Sequence, residues 1–239
     1  MISWFWIGLL CYPVATWASP KISLDSTLWK LESQSHGISL STCTVLGTGI
    51  VPVKSVMTIP ASVEEVSAVL EDAPRRGQWI ARFGSSALLE RLNDYNQTEY
   101  LRMSMPWPFV DRTAIVRVRI GVSEDQSVAT VEATSVANYP APGLPMLLRS
   151  EVFESTFQMR RSPEGTRVTA LVFVDPKGNL PAWVVNLFTS RVSRQTLEGL
   201  RRQVARKLYS PAALEALHHR ILHYHEFKQT YCIKDPACL

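Results

Sequence analysis

Histidine is the first residue type to consider for chemistry, because imidazole is a common general acid–base group and a frequent metal ligand. Four of the five histidines lie beyond Tyr209, and only His36 precedes it. Four polar residues share one helical face of that tail, at spacings of four, four and three: Glu215, His219, His223 and Glu226. Such a face could bind a metal ion. The alternative, which we favour, is a solvated face on an amphipathic helix, and we expect no metal site.

Catalytic motifs are missing from the sequence. It has no G-x-S-x-G, no H-E-x-x-H, no P-loop and no dinucleotide-binding glycine pattern. A single histidine before Tyr209 leaves little material for imidazole-based acid–base catalysis. We therefore predict a protein that is not an enzyme and needs no cofactor.

Arg112 is the best candidate for a polar group inside the fold. It opens the segment RTAIVRVRIGV, where four apolar residues share its parity: Ala114, Val116, Val118 and Ile120. Because side chains alternate across a strand, Arg112 should face the same side as this apolar set. A buried guanidinium then needs a carboxylate, carbonyl oxygens or a polar ligand. Alternatively, the strand begins at Thr113 and Arg112 lies at the exposed rim.

A long helix should follow the segment DPKGNLPAWVVN and continue to Tyr209. Pro176 and Gly178 suit a tight turn, and Pro181 suits the start of a helix. The apolar face of this helix comprises Val185, Phe188, Val192, Thr196, Leu200 and Val204. Such a face usually packs in a closed core, but with its threonine it is also compatible with a cavity wall.

The opposite face of the long helix is mostly charged. It collects Leu187, Arg191, Arg194, Glu198, Arg201 and Arg202. Basic residues beside Trp183 and Leu187 could dock on an anionic membrane surface. The alternative is a solvated face on which Glu198 pairs with Arg194 or Arg202.

The elements that position these residues are mostly strands. The alternating segment GIVPVKSVMTI is followed by a short helix that Ser62 and Glu65 can close with a capping box. Six strand-like segments come next, separated by turns such as NDYNQ and SPEGT. Strands in succession followed by one dominant helix are typical of an α+β fold with an antiparallel sheet.

Composition sets the broad class of the protein. With 239 residues, 46% of them apolar and 19% charged, the chain can build a sizeable core. The net charge of +4 is too small to indicate nucleic-acid binding.

The N-terminus predicts export. The segment MISWFWIGLLCYPVATWAS has no charged side chain, and Thr16 and Ala18 suit a signal-peptidase site before Ser19. We expect a signal peptide over 1–18, a domain over 20–209 and a helical appendix over 210–239. An uncleaved membrane anchor is the alternative, but Pro13 interrupts a stretch already short for a bilayer span.

Export would leave three cysteines in the mature chain, which is an odd number. They are Cys43, Cys232 and Cys238. We predict a disulfide between Cys232 and Cys238, which are close in sequence and would meet an oxidising compartment. Their spacing fits no zinc pattern.

Several segments, in order from Leu28 to Tyr209, resemble the START (steroidogenic acute regulatory protein-related lipid transfer) domain family. The similar segments are WKLESQSHGISL, IPASVEEVSAVLEDAPRRGQW, MPWPFVDRTAIV and, most specifically, DPKGNLPAWVVN followed by TLEGLRRQV. One departure is clear. Where the family often has Arg-Asp, this chain has Arg112 followed by Thr113 and preceded by Asp111.

The resemblance implies a helix-grip fold, in which a curved antiparallel sheet wraps around the long C-terminal helix and encloses a hydrophobic cavity. It also implies that the protein binds and carries or presents one lipid-type ligand, with the helix as a lid. The expected ligand contacts are Arg112, Val185, Phe188, Val192, Thr196 and Leu200. A cyclase- or aromatase-like enzyme of the same superfamily is one alternative, and a scaffold whose cavity is filled by side chains is another. We expect a periplasmic monomer that touches membranes transiently and binds no nucleic acid.

Overall fold

The computed structural model describes residue 24 and residues 28–140, 148–150 and 152–231. The predicted signal peptide and both cysteines of the predicted disulfide, Cys232 and Cys238, lie outside the described residues. Cys43 is a free, partly buried thiol.

Ten strands of the described chain form one sheet. They are β1 (Lys30–Ser35), β2 (Ile38–Thr42), β3 (Val53–Ile59), β4 (Phe83–Asn93), β5 (Asn96–Met103), β6 (Arg112–Val122), β7 (Val128–Ser135), β8 (Leu148–Arg149), β9 (Val152–Ser162) and β10 (Gly165–Asp175). The helices are α1 (Val63–Glu71), α2 (Ala182–Ala205), α3 (Pro211–Leu222) and α4 (Tyr224–Tyr231), with a 3-10 helix over Ala73–Gln78.

The strand order is β1-β2-β3-β10-β9-β7-β6-β5-β4. All neighbours along this path are antiparallel, and the short β8 pairs with β6 in parallel. Strands β4 to β7 follow one another as the predicted meander. The sheet curves around α2, which confirms the α+β helix-grip fold expected from the resemblance.

The start of helix α1 is determined by the hydrogen bonds of its first turn. The Ser62 hydroxyl accepts a hydrogen bond from the Glu65 amide at 3.2 Å, and the Glu65 carboxylate accepts one from the Ser62 amide at 2.9 Å. This is the predicted capping box, and it satisfies two amide groups that have no partner within the helix.

Helix α2 begins at Ala182, after a turn in which Lys177 and Gly178 have positive φ angles of 55° and 79°. It ends at Ala205, four residues before the predicted end at Tyr209. Residues 205–208 are exposed, and Lys207 takes a φ of 50°, a left-handed conformation of the kind that commonly ends a helix. The helix packs against β2, β3, β10 and α1.

The hydrophobic core lies between the sheet, α1 and the C-terminal half of α2. Its fully buried members include Val66, Val168, Leu197 and Leu200. The close approach of α2 to the chain after the 3-10 helix requires Gly199, because a Cβ there would lie 2.1 Å from the Trp79 carbonyl oxygen.

The tail packs through the apolar side of its helices, opposite the polar face named above. Leu217, Ile221 and Tyr224 are buried, and Leu214 is partly buried. The polar face is exposed, and within it His223 Nε2 lies 4.0 Å from Glu226 Oε2. No group of three or more His, Cys, Asp or Glu residues among those described is arranged to hold a metal ion. Within the same ranges, none of the helices has the length and apolar character needed to cross a membrane.

Candidate functional site: a cavity beneath helix α2

An apolar cavity of about 220 Å³ lies between α2 and the concave face of the sheet. Pairs of residues on successive turns of α2 form one wall: Val184, Val185, Phe188, Thr189, Val192, Ser193, Thr196 and Leu197. Strands β5, β6, β7, β9 and β10 form the other wall. Their apolar contribution includes Leu101, Met103, Ala114, Val131, Phe157 and Val172. The cavity is therefore suited to a hydrophobic ligand.

Four of the five predicted α2 contacts line this cavity: Val185, Phe188, Val192 and Thr196. Leu200 does not. It is completely buried in the hydrophobic core, one turn beyond Thr196, where α2 has already closed onto the Trp79 segment. The position of Leu200 therefore does not support a ligand contact. The helical period that identified the inward face cannot show where along the helix the cavity ends.

Arg112 points inward, as its parity predicts, and lines the cavity with only 5% of its surface exposed. Its Nε donates a hydrogen bond to the Pro176 carbonyl at 2.7 Å, and its terminal nitrogens donate to the carbonyls of Val110 and Lys177. Among the residues that the structure describes, its hydrogen-bond partners are thus all backbone carbonyls. Burial lowers the pKa of the guanidinium below its usual value.

The Arg112 contacts connect the start of β6 to the turn that leads into α2. Asp111, the neighbouring carboxylate, points elsewhere and pairs with Arg102 at 2.7 Å. Hydrogen bonds from the Met105 amide and from the Arg102 side chain, together with the positive charge of Arg102, lower the pKa of Asp111. The acidic residue before Arg112 therefore organises the β5–β6 loop and does not neutralise Arg112.

A buried ion pair in the cavity wall was missed by the sequence analysis. Arg76, from the 3-10 helix, donates through both terminal nitrogens to the carboxylate of Glu99 on β5. Gln97 Nε2 donates to the same carboxylate at 2.5 Å. The signal available in the sequence was strand parity. Glu99, Leu101 and Met103 are spaced two residues apart and therefore share one face of β5. The pairing with Arg76, 23 residues away on another element, has no sequence signature.

The cavity wall also holds polar groups on α2 and on the segment that it crosses. Thr196 Oγ1 accepts a hydrogen bond from the Ala81 amide at 3.2 Å. Within the described ranges, Trp79 Nε1 and Ser193 Oγ are buried and have no hydrogen-bond partner.

Exposed apolar side chains surround one end of the cavity, and we call this set the rim. The β5–β6 loop places Pro106 and Phe109 on the cavity wall and leaves Trp107 and Val110 outside, 92% and 59% exposed. The start of α2 likewise places Val184 and Phe188 inside. It leaves Trp183 and Leu187 outside, 69% and 57% exposed.

Two of the four outer arginines of α2, Arg194 and Arg201, have a partner that neither sequence interpretation included. Arg194 donates to the hydroxyls of Ser33 and Ser35, at 2.6 and 2.5 Å, and Arg201 donates to the His36 carbonyl at 2.9 Å. The β1–β2 hairpin therefore lies along the outer face of α2. These arginines hold the hairpin and are not free for a membrane surface.

Comparison with known proteins agrees with this geometry. The START domain family model matches residues 16–211. A crystal structure of a STAR-related lipid transfer protein fragment from Xanthomonas axonopodis is 25% identical, covers 74% of this chain and 99% of that chain, and superposes with a TM-score of 0.67. Human StAR-related lipid transfer protein 5 is 18% identical, with 78% and 90% coverage and a TM-score of 0.70. An uncharacterised protein of Pseudomonas aeruginosa is 27% identical over 72% of this chain and 85% of its own length.

Proposed function

Because the chain belongs to the START domain family, we propose that it binds one lipid-type ligand beneath α2 and carries or presents it, with α2 as the lid. The apolar cavity of about 220 Å³ is the observation that carries this proposal. Burial of an acyl chain stabilises a complex by about 0.8 kcal/mol per CH₂ group. Apolar contacts alone could therefore retain a ligand.

We infer that the N-terminal half of α2 moves when ligand enters. Pockets for small molecules usually measure roughly 300–1,000 Å³, so this cavity must expand for a larger lipid. The C-terminal half of α2 is fixed by Leu197 and Leu200 in the core and by the close approach of Gly199 to Trp79. The N-terminal half is less buried, since Trp183 and Leu187 are exposed and Phe188 is only partly buried.

We propose that the rim contacts the membrane from which the ligand is taken or to which it is delivered. Trp107 and Val110 project from one side of the cavity end, and Trp183 and Leu187 project from the other. Tryptophan favours the headgroup region of a bilayer because its ring is apolar and carries one polar N–H. Contact there would bring the cavity and the mobile part of the lid to the lipid surface.

The ionisable residues of the described cavity wall favour a binding role over proton-transfer catalysis. They are Arg76, Glu99 and Arg112. Glu99 is held by Arg76 and Gln97, and Arg112 is held by carbonyls. We therefore rank the cyclase-like alternative second.

We further propose from the sequence that residues 1–18 are removed during export to the periplasm and that Cys232 pairs with Cys238. A mature N-terminus at Ser19 and protection of both tail thiols from alkylation before reduction would support this. Retention of Met1 in soluble protein would contradict it.

Exposure to lipid followed by repurification tests the proposed function. Purified protein is incubated with vesicles made from a bacterial total lipid extract, separated from them, and analysed by native mass spectrometry. We expect one bound lipid per chain. A protein that carries no lipid after this treatment would contradict the proposal.

A further inference from the structure

Trp79 and Ser193 place two unsatisfied polar atoms on the cavity wall. The side chains are 4% and 6% exposed, and neither Trp79 Nε1 nor Ser193 Oγ has a hydrogen-bond partner within the described part of the chain. Both residues line the cavity. Buried polar groups in native proteins are nearly always hydrogen-bonded, so two unsatisfied groups in one cavity wall require an explanation.

The two residues belong to the same end of the cavity. Ser193 lies one turn before Thr196, whose hydroxyl is bonded to the Ala81 amide. One further turn along the helix, Gly199 meets the backbone of Trp79. Trp79 therefore lies at the point where the segment after the 3-10 helix crosses α2, and Ser193 lies about two helical turns before that point, beyond the rim residues at the start of the helix.

The nearest charges are already compensated. The backbone carbonyl of Arg76 accepts a hydrogen bond from the Trp79 amide at 3.1 Å, so the two residues are neighbours. The Arg76 side chain is paired with Glu99, and the Glu99 carboxylate also accepts from Gln97. Among the described residues that line the cavity, a charged ligand group would find no free counter-ion at this end, whereas a neutral oxygen would need only a hydrogen-bond donor.

We propose that Trp79 and Ser193 form a subsite for a neutral ligand oxygen, so that the ligand is a lipid with a hydroxyl or carbonyl group bound at the inner end of the cavity. Indole N–H is only a donor, so the ligand must supply an acceptor, while the serine hydroxyl can donate or accept. The ligand's hydrocarbon part would then extend past Phe188 towards the rim. This inference rests on the proposed function and adds the chemical class and the orientation of the ligand.

Removal of each polar atom tests the subsite with two probes of equal chain length. Octan-1-ol and octane are measured by displacement of an environment-sensitive fluorescent dye from wild type, Trp79→Phe and Ser193→Ala. We expect each variant to weaken octan-1-ol binding about fivefold, the loss of one neutral hydrogen bond, and to leave octane binding unchanged. Ser55→Ala is the matched control, because Ser55 Oγ is also buried and has no hydrogen-bond partner among the described residues, but Ser55 is not one of the residues that line the cavity.

The outcomes separate this inference from the proposed function. The subsite would be overturned if wild type and both variants bound octan-1-ol equally, or if the variants lost the same affinity for both probes. Either result would leave the proposed binding of a hydrophobic ligand intact. Tighter binding of octanoate than of octan-1-ol by wild type would overturn the neutral character of the subsite. If wild type binds neither octane nor octan-1-ol, the proposed function fails as well. Thermal melting of each variant shows that it is folded. Ser193→Ala should melt no earlier than wild type, because it removes only a desolvated, unpaired hydroxyl, whereas Trp79→Phe should melt somewhat earlier, because the smaller ring fills less of its buried site.

Discussion

Arg112 shows how the wall of this cavity accommodates a buried charge through backbone carbonyls of the protein itself. Its guanidinium holds the carbonyls of Val110, Pro176 and Lys177, two of which belong to the turn before α2. A buried charge is tolerated when its hydrogen-bond donors are satisfied. The residue therefore joins the sheet to the beginning of the lid.

Replacement of Arg112 by leucine should destabilise the protein. The change removes the donor for three carbonyls, and loss of hydrogen bonds to a charged group costs about 1.5–3 kcal/mol each, less where water can reach the freed carbonyls. We expect the free energy of unfolding in urea to fall by about 2–4 kcal/mol. Because the three contacts hold the turn before α2, we expect this effect on folding to exceed any effect on ligand selectivity.

The control is Arg117→Leu, on the same strand but with the opposite parity and partly exposed. It should change the free energy of unfolding by no more than about 0.5 kcal/mol. Equal stability of Arg112→Leu and Arg117→Leu would show that Arg112 does not hold the turn.

At the scale of elements, local chemistry made the strands and helix starts predictable. The capping box at Ser62 and the positive φ at Gly178 follow from residue types whose preferences do not depend on distant parts of the chain. Strand parity also placed Arg112 inward. The contacts of Arg194 and Arg201 with the β1–β2 hairpin were not predictable, because they join residues about 160 positions apart in sequence.

The same limit applies to the cavity itself. The periodicity of α2 identified its inward face but not the point where the wall becomes core, and Leu200, predicted as a ligand contact, lies in the core beyond that point. The Arg76–Glu99 pair and the unsatisfied Trp79 and Ser193 depend on how separate elements meet. Only the three-dimensional arrangement reveals them.

The crossing of α2 over the Trp79 segment gives a prediction at this scale. Gly199→Ala would place a methyl group 2.1 Å from a backbone oxygen, so the helix must shift. We expect the free energy of unfolding to fall by about 3 kcal/mol, at the upper end for an overpacked core. Chemical denaturation measures the change.

Gly121→Ala is the control for this substitution. Its added methyl group would lie 3.7 Å from the Tyr224 hydroxyl, an ordinary contact distance. If Gly199→Ala and Gly121→Ala are equally stable, then α2 is not fixed at this crossing and the division of the lid into a fixed and a mobile half is wrong.

At the scale of the whole molecule, the proposed transfer cycle requires the rim to recognise a membrane. Replacement of Trp107 and Trp183 by serine in one variant should weaken sedimentation with phosphatidylethanolamine–phosphatidylglycerol vesicles at least about tenfold, since burial of a large apolar side chain contributes about 1.5–3 kcal/mol. Leu46→Ser removes an equally exposed apolar side chain that does not belong to the rim and should have no effect. Equal losses in both variants would show that the binding is unspecific.

The central claim is that the space beneath α2 holds lipid and is not a closed core, and filling that space tests it most directly. Val192 lines the cavity and is partly buried, so Val192→Trp should occupy the ligand's volume, while Gln195→Trp enlarges an exposed position of the same helix that belongs neither to the cavity wall nor to the rim. The measurement is the amount of lipid bound after incubation with vesicles, together with the melting temperature. We expect Val192→Trp to keep its melting temperature and to lose at least about nine-tenths of the bound lipid, and Gln195→Trp to be unchanged in both. If Val192→Trp instead melts roughly 2–12 °C earlier, as overpacking by about 1–3 kcal/mol would cause, and wild type holds no lipid, the account is contradicted.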